Sequence, residues 1–87
     1  MKKTDIEIKH AVGLHARPAS LFAQTASKFS SEISIAYDGK TINAKSILGI
    51  LSLGVGKNAQ ITIIAEGEDE EDAVEALKKL IGSNFGE

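Results

Sequence analysis

At 87 residues and 9.2 kDa the chain has room for one domain, residues 1–87, whose folding hides about 60–65% of its unfolded surface. A hydrophobic fraction of 43% with 25% charged residues excludes disorder and collagen-like structure, and the lack of cysteine excludes disulfides, thiolate metal sites and thiol catalysis. The net charge of −2 is uneven: residues 1–65 hold eight Lys or Arg and four acids, residues 66–87 two lysines and eight acids. That basic part is too weak, and with three Phe, one Tyr and no Trp too poor in aromatics, for a nucleic-acid surface. Met1-Lys2-Lys3-Thr4-Asp5 runs into acids where a signal peptide needs an apolar stretch, and no apolar run reaches the ~18 residues of a span. A soluble cytoplasmic protein with no membrane insertion is expected.

Ile6 and Ile8 alternate with Asp5, Glu7 and Lys9, predicting a strand over about 4–9, and residues 11–14 form a connection. Ala19, Phe22, Ala23, Ala26 and Phe29 form the stripe of an amphipathic helix, with Pro18 in its first turn. Ile33, Ile35 and Tyr37 give a second strand, Asp38-Gly39 a two-residue hairpin turn, and Thr41-Ile42-Asn43 the returning strand. Ser46 as N-cap and Gly54 as stop bracket a short helix over 47–53. Gln60 to Ala65 reads as a central strand. Ala73, Ala76, Leu77, Leu80 and Ile81 mark a last helix, with acids from Asp69 to Asp72 at its start, Lys78 and Lys79 near its end and Gly82 after it. The order β-α-β-β-α-β-α predicts an α+β fold, a four-stranded, mainly antiparallel sheet with helices on one face and solvent on the other.

One run carries chemistry: Gly13-Leu14-His15-Ala16-Arg17-Pro18-Ala19. Histidine and arginine straddle the start of a helix whose first amides have no helical partner, so amides, dipole and guanidinium together suit a phosphate. His15 is the side chain able to be a neutral nucleophile near neutral pH, and in such a cradle it would attack phosphorus. Arg17 and the backbone amides of Ala16 and Arg17 would neutralise the transferred group. A phosphorus–nitrogen bond is readily donated onward, which suits a carrier. By position alone, however, a histidine before a helix is more often just a capping or surface residue, and composition and periodicity do not overturn that reading.

The same run resembles the active-site signature of the HPr family, the histidine-containing phosphocarriers of the bacterial phosphoenolpyruvate:sugar phosphotransferase system. The resemblance continues through Asp38-Gly39-Lys40, Asn43, Lys45-Ser46-Ile47-Leu48-Gly49 and Ser52-Leu53-Gly54 and covers essentially the whole chain. It implies an open-faced β-sandwich with three helices on one face. It implies that His15 takes a phosphoryl group on Nδ1 from phosphorylated Enzyme I and passes it to Enzyme II A domains, so that the protein is a carrier and no enzyme. Ser46 would be phosphorylated by the HPr kinase/phosphorylase, and that form would bind the catabolite-control repressor.

Read from the residues, Ser46 needs no more than its N-cap role. Ile47, Leu48 and Leu51 cannot all be buried on so short a helix, and the family uses such a patch for its partners; Ile50 and Leu53 are assigned to the core. Val12 stands where relatives carry a small polar residue, which bears on the tautomer of His15. His10 is read as a solvated residue at a strand end. Gly54-Val55-Gly56-Lys57-Asn58 has the glycines of a phosphate loop but not its spacing, and the acidic run 66–72 lacks the ligand spacing of a calcium loop. No metal and no cofactor are expected, and a monomer is. The alternative is a catabolite-repression regulator acting mainly through phosphorylated Ser46, a class whose members lack the histidine. A small-molecule-binding domain, the third possibility, would need a pocket.

Overall fold

The computed structural model describes residues 1–9, 16–83 and 85. Four strands, β1 (Lys2–Glu7), β2 (Glu32–Tyr37), β3 (Lys40–Asn43) and β4 (Gln60–Glu66), form one antiparallel sheet in the order β1-β4-β2-β3. Three helices complete it: α1 (Ala16–Ala26), α2 (Ile47–Ser52) and α3 (Glu70–Gly82).

Alternation decides which face each side chain takes. The register sets Ile6 opposite Ile61, Ile63 opposite Ile35, and Ile35 opposite Ile42, in one layer beneath the helices. Phe22, Ala23 and Ala26 of α1, Ile50 of α2, and Ala73, Val74, Leu77 and Ile81 of α3 close this layer into a continuous buried cluster. The opposite face carries Asp5, Thr62, Ala36 and Thr41 across the four strands, with the Thr62 hydroxyl donating to Asp5 Oδ1 at 2.6 Å. It remains open. Tyr37 pairs with Lys40 across Asp38 (φ 51) and Gly39 (φ 79), the doubly left-handed turn that Asp-Gly favours.

Strand pairing moves two predicted boundaries. β1 begins at Lys2, opposite Ala65, because a long β4 gives these residues a partner. Past Glu7 the pairing becomes irregular, with Ile8 N–H donating to Ala59 while its carbonyl accepts from Asn58 (φ 68). α1 stops at Ala26, short of the expected end at Phe29. Three-residue turns close it there, and the Lys45 ammonium donates to the Phe29 carbonyl at 2.7 Å.

The acids at the head of α3 divide their work. Glu70, Glu71 and Asp72 occupy its first turn, where the helix dipole favours them. Asp69, at the N-cap, instead reaches across to the start of β2. Its carboxylate accepts from the amides of Ser30 and Ser31, each at 2.9 Å, and from the Ser31 hydroxyl. These donors, the Ser31 hydroxyl first, hold the carboxyl down at about 2. Gly67, at φ 154, lies against Ser31 so closely that a Cβ there would fall 2.6 Å from Ser31 Oγ and 2.8 Å from its Cα.

Candidate functional site

The site assembles on the helix-bearing side from the first turn of α1 and the whole of α2. In α1, Ala16 and Arg17 are exposed while Pro18 and Ala19 turn inward. Pro18 is the third helical residue, so the N–H it lacks is one that no helical carbonyl could have accepted. The same geometry leaves the amides of this turn, those of Ala16 and Arg17 included, to partners outside the helix. Phe22, buried behind the turn, fixes α1 on the sheet and thereby sets where its first residues stand. His15, the residue preceding α1 in the chain, lies outside the described residues, as do His10, Val12, Gly13 and Leu14.

α2 packs against α1 and is held at both ends. Ser46 has the extended backbone of an N-cap (φ −105, ψ 114), and its hydroxyl accepts from the Gly49 amide at 3.0 Å. A side chain at position 49 would crowd this cap, since a Cβ would come 3.3 Å from Ser46 Oγ. Before the cap, the Asn43 side chain accepts from the Lys45 amide at 2.9 Å, and the Lys45 ammonium ties the cap to the turn after α1. At the other end Leu53 closes the helix and Gly54 takes the left-handed conformation (φ 65).

The short helix sorts its apolar residues as expected. Ile50 and Leu53 are buried, whereas Ile47, Leu51 and above all Leu48, at 79% exposure, face outward. Three large apolar side chains thus stand in solvent immediately after Ser46. Sequence reasoning missed the tether from Lys45 to Phe29 and the Asp69–Ser31 staple, each of which joins residues far apart in the chain.

Exposed first-turn groups on α1, a capped serine and an apolar surface on one helix layer have the makings of a protein that meets other proteins. Comparison with known proteins gives the family. Residues 2–83 match the family model described as the PTS HPr component phosphorylation site. The crystal structure of HPr-C-His from Thermoanaerobacter tengcongensis is 60% identical with a TM-score of 0.97, covering 100% of this chain and 98% of that one. The phosphocarrier protein HPr of Bacillus anthracis is 48% identical with a TM-score of 0.88, covering 92% and 95%. Crh, the catabolite repression protein of Bacillus subtilis, seen as a swapped dimer, is 43% identical with a TM-score of 0.76, covering 95% of each chain. The chain belongs to the HPr family of phosphocarriers of the phosphotransferase system.

Proposed function

We propose that this chain carries a phosphoryl group on His15 between phosphorylated Enzyme I, charged by phosphoenolpyruvate, and the A domains of sugar-specific Enzyme II. A nitrogen of the neutral imidazole attacks phosphorus, the phosphorus–nitrogen bond forms, and the bond to the donor breaks with its electron pair leaving on the donor. Arg17 and the amides of Ala16 and Arg17 balance the charge on the phosphoryl oxygens. The return step is the same reaction with the acceptor as nucleophile, so the protein is regenerated and is a carrier. The observation that supports this most is the phosphorylation-site match over residues 2–83, which includes the run from Gly13 to Ala19.

Ser46 is the switch in this reading. Phosphorylation by an HPr kinase/phosphorylase adds about −1.5 to −2 charges beside Ile47, Leu48 and Leu51, the surface proposed to receive Enzyme I. The modified surface repels an acidic partner and is offered to a catabolite-control repressor instead. Among the described residues no helix is long and apolar enough to cross a membrane, which is compatible with work in the cytoplasm. The likeness to Crh favours one second reading, a regulator acting mainly through phosphorylated Ser46. Against it stand the presence of His15 and the higher identity to HPr.

Intact-mass measurement after incubation with Enzyme I, magnesium and phosphoenolpyruvate decides between them. The carrier gains one acid-labile phosphate that His15→Ala does not take up. No gain, with an Enzyme I that charges another HPr, removes the carrier reading in favour of the regulator.

A further inference from the structure

One peptide group in the turn after α1 is held by charge from both sides. The Phe29 carbonyl accepts from the Lys45 ammonium at 2.7 Å, and Ser30 N–H of the same peptide donates to Asp69 Oδ2 at 2.9 Å. A cation on the oxygen and an anion on the N–H polarise the group in the same sense, so each bond strengthens the other. Lys45 directly precedes the N-cap of α2 and Asp69 is the N-cap of α3, so this peptide links the end of α1 to the starts of both other helices. Lys45 has a competing partner close by. The bond from Ala44 N–H to the Ile33 carbonyl continues the β2–β3 register and sets Lys45 opposite Glu32, yet its ammonium meets no carboxylate among the described residues.

The bond from Lys45 joins two stiff pieces. On one side, Lys28 N–H donates to the Thr25 carbonyl and Phe29 N–H to that of Ala26, which carries α1 on into the turn, and the Phe29 ring packs against the core. On the other, Asn43 accepts from the amides of Lys45 and Ser46, and the Ser46 hydroxyl accepts from Gly49 N–H. Packing anchors α2 through Ile50 and Leu53, toward its end, whereas Ile47 and Leu48 in its first turn are exposed. Where that first turn stands is therefore set by what holds the residues before it, and of these Lys45 is tied to the end of α1.

We propose that Lys45 is a positioning residue for phosphoryl transfer: bonded to the Phe29–Ser30 peptide, it sets the first turn of α2 against α1, so that Ala16 and Arg17 on one helix and Ile47, Leu48 and Leu51 on the other present a single docking surface. The inference rests on the carrier reading above and deepens it. Lys45 makes no contact with the transferred group in this role; its effect passes through the relation of the two helices. Asp69 belongs to the same device, because it grips the N–H of the peptide whose carbonyl Lys45 holds.

Transfer kinetics with Enzyme I as donor test it, with circular dichroism confirming that each variant is folded and Lys45→Gln as a second variant should Lys45→Met not fold. Lys45→Met keeps the stem and removes the ammonium; it raises the KM for the carrier roughly three- to tenfold and leaves kcat within about twofold, the pattern of lost binding without lost chemistry. Lys45→Arg, which still donates to the carbonyl, restores KM. A lysine acting as a surface charge on the partner would lose its effect in about 0.5 M salt, whereas that of the tether persists. Residual dipolar couplings show α2 turned relative to α1 in Lys45→Met. In urea unfolding the losses from Lys45→Met and Asp69→Asn are not additive, since both act on one peptide. A native KM in Lys45→Met, an effect abolished by salt, an unturned α2 or additive losses would each overturn the proposal and leave the carrier reading standing. A native chain that a competent Enzyme I does not charge would overturn both.

Discussion

Replacing Gly67 by alanine tests the tightest approach in the fold. The new Cβ would lie 2.6 Å from Ser31 Oγ, 2.8 Å from Ser31 Cα and 3.0 Å from Ser31 Cβ. Rotating the serine relieves only the first contact, and that hydroxyl is already held by Asp69. The backbone of β2 must then draw away from the turn that joins β4 to α3, loosening the bonds from Ser30 and Ser31 to Asp69. A left-handed φ of 154 in a residue with a side chain costs about 1–3 kcal/mol, and overpacking costs about as much again. The sum is about 2–6 kcal/mol of a total near 5–15 kcal/mol. For a domain of this size each kcal/mol lowers the midpoint by about 4–8 °C, so a fall of at least about 8 °C is expected. Gly39→Ala is the control: its φ of 79 carries the backbone penalty alone, since a Cβ there meets nothing within 4 Å. Thermal and urea unfolding followed by circular dichroism, at one fixed protein concentration, compare the two. If Gly67→Ala is no less stable than Gly39→Ala, the contact with Ser31 is not the constraint described.

Asp69 gives the acid side of the stability curve its form. Its folded value of about 2 lies below the ordinary 3.8, so its contribution is complete above pH 4 and is lost as pH falls through about 2. Asp69→Asn should flatten that part of a pH series of urea midpoints, and an unchanged slope would refute the assignment. Leu48→Ala should leave stability within about 0.5 kcal/mol, because the side chain makes few contacts at 79% exposure, while slowing phosphoryl transfer from Enzyme I. A normal transfer rate would remove Leu48 from the docking surface.

What was legible in the sequence was local. The Asp38-Gly39 turn, the Ser46 cap, the stop at Gly54 and the division of α2 into buried Ile50 and exposed Leu48 each depend on residues a few positions apart, where turn chemistry and periodicity act. The family signature around His15 was legible for the same reason, being one short run. What was not legible depends on distant partners. Asp69 read as one more acid at a helix start, because nothing near it in sequence shows that Ser31 will be brought to its carboxylate. Val55 and Phe85 sit outside the regular stretch of any element, yet the shared core buries both.

The position of β4 between β1 and β2 also orders events in time. β2 and β3 are joined by two residues and can pair as soon as both exist, but among the described residues β1 pairs with no strand other than β4. On a ribosome adding about 5–20 residues each second, β1 must wait, unpaired, until the stretch from Gln60 to Glu66 has emerged. Loop-closure entropy opposes so distant a contact, and local pairs form ahead of it. β1, translated well before β4, is thus among the last elements to join the sheet, and until then the edge of β4 is open to any other extended segment.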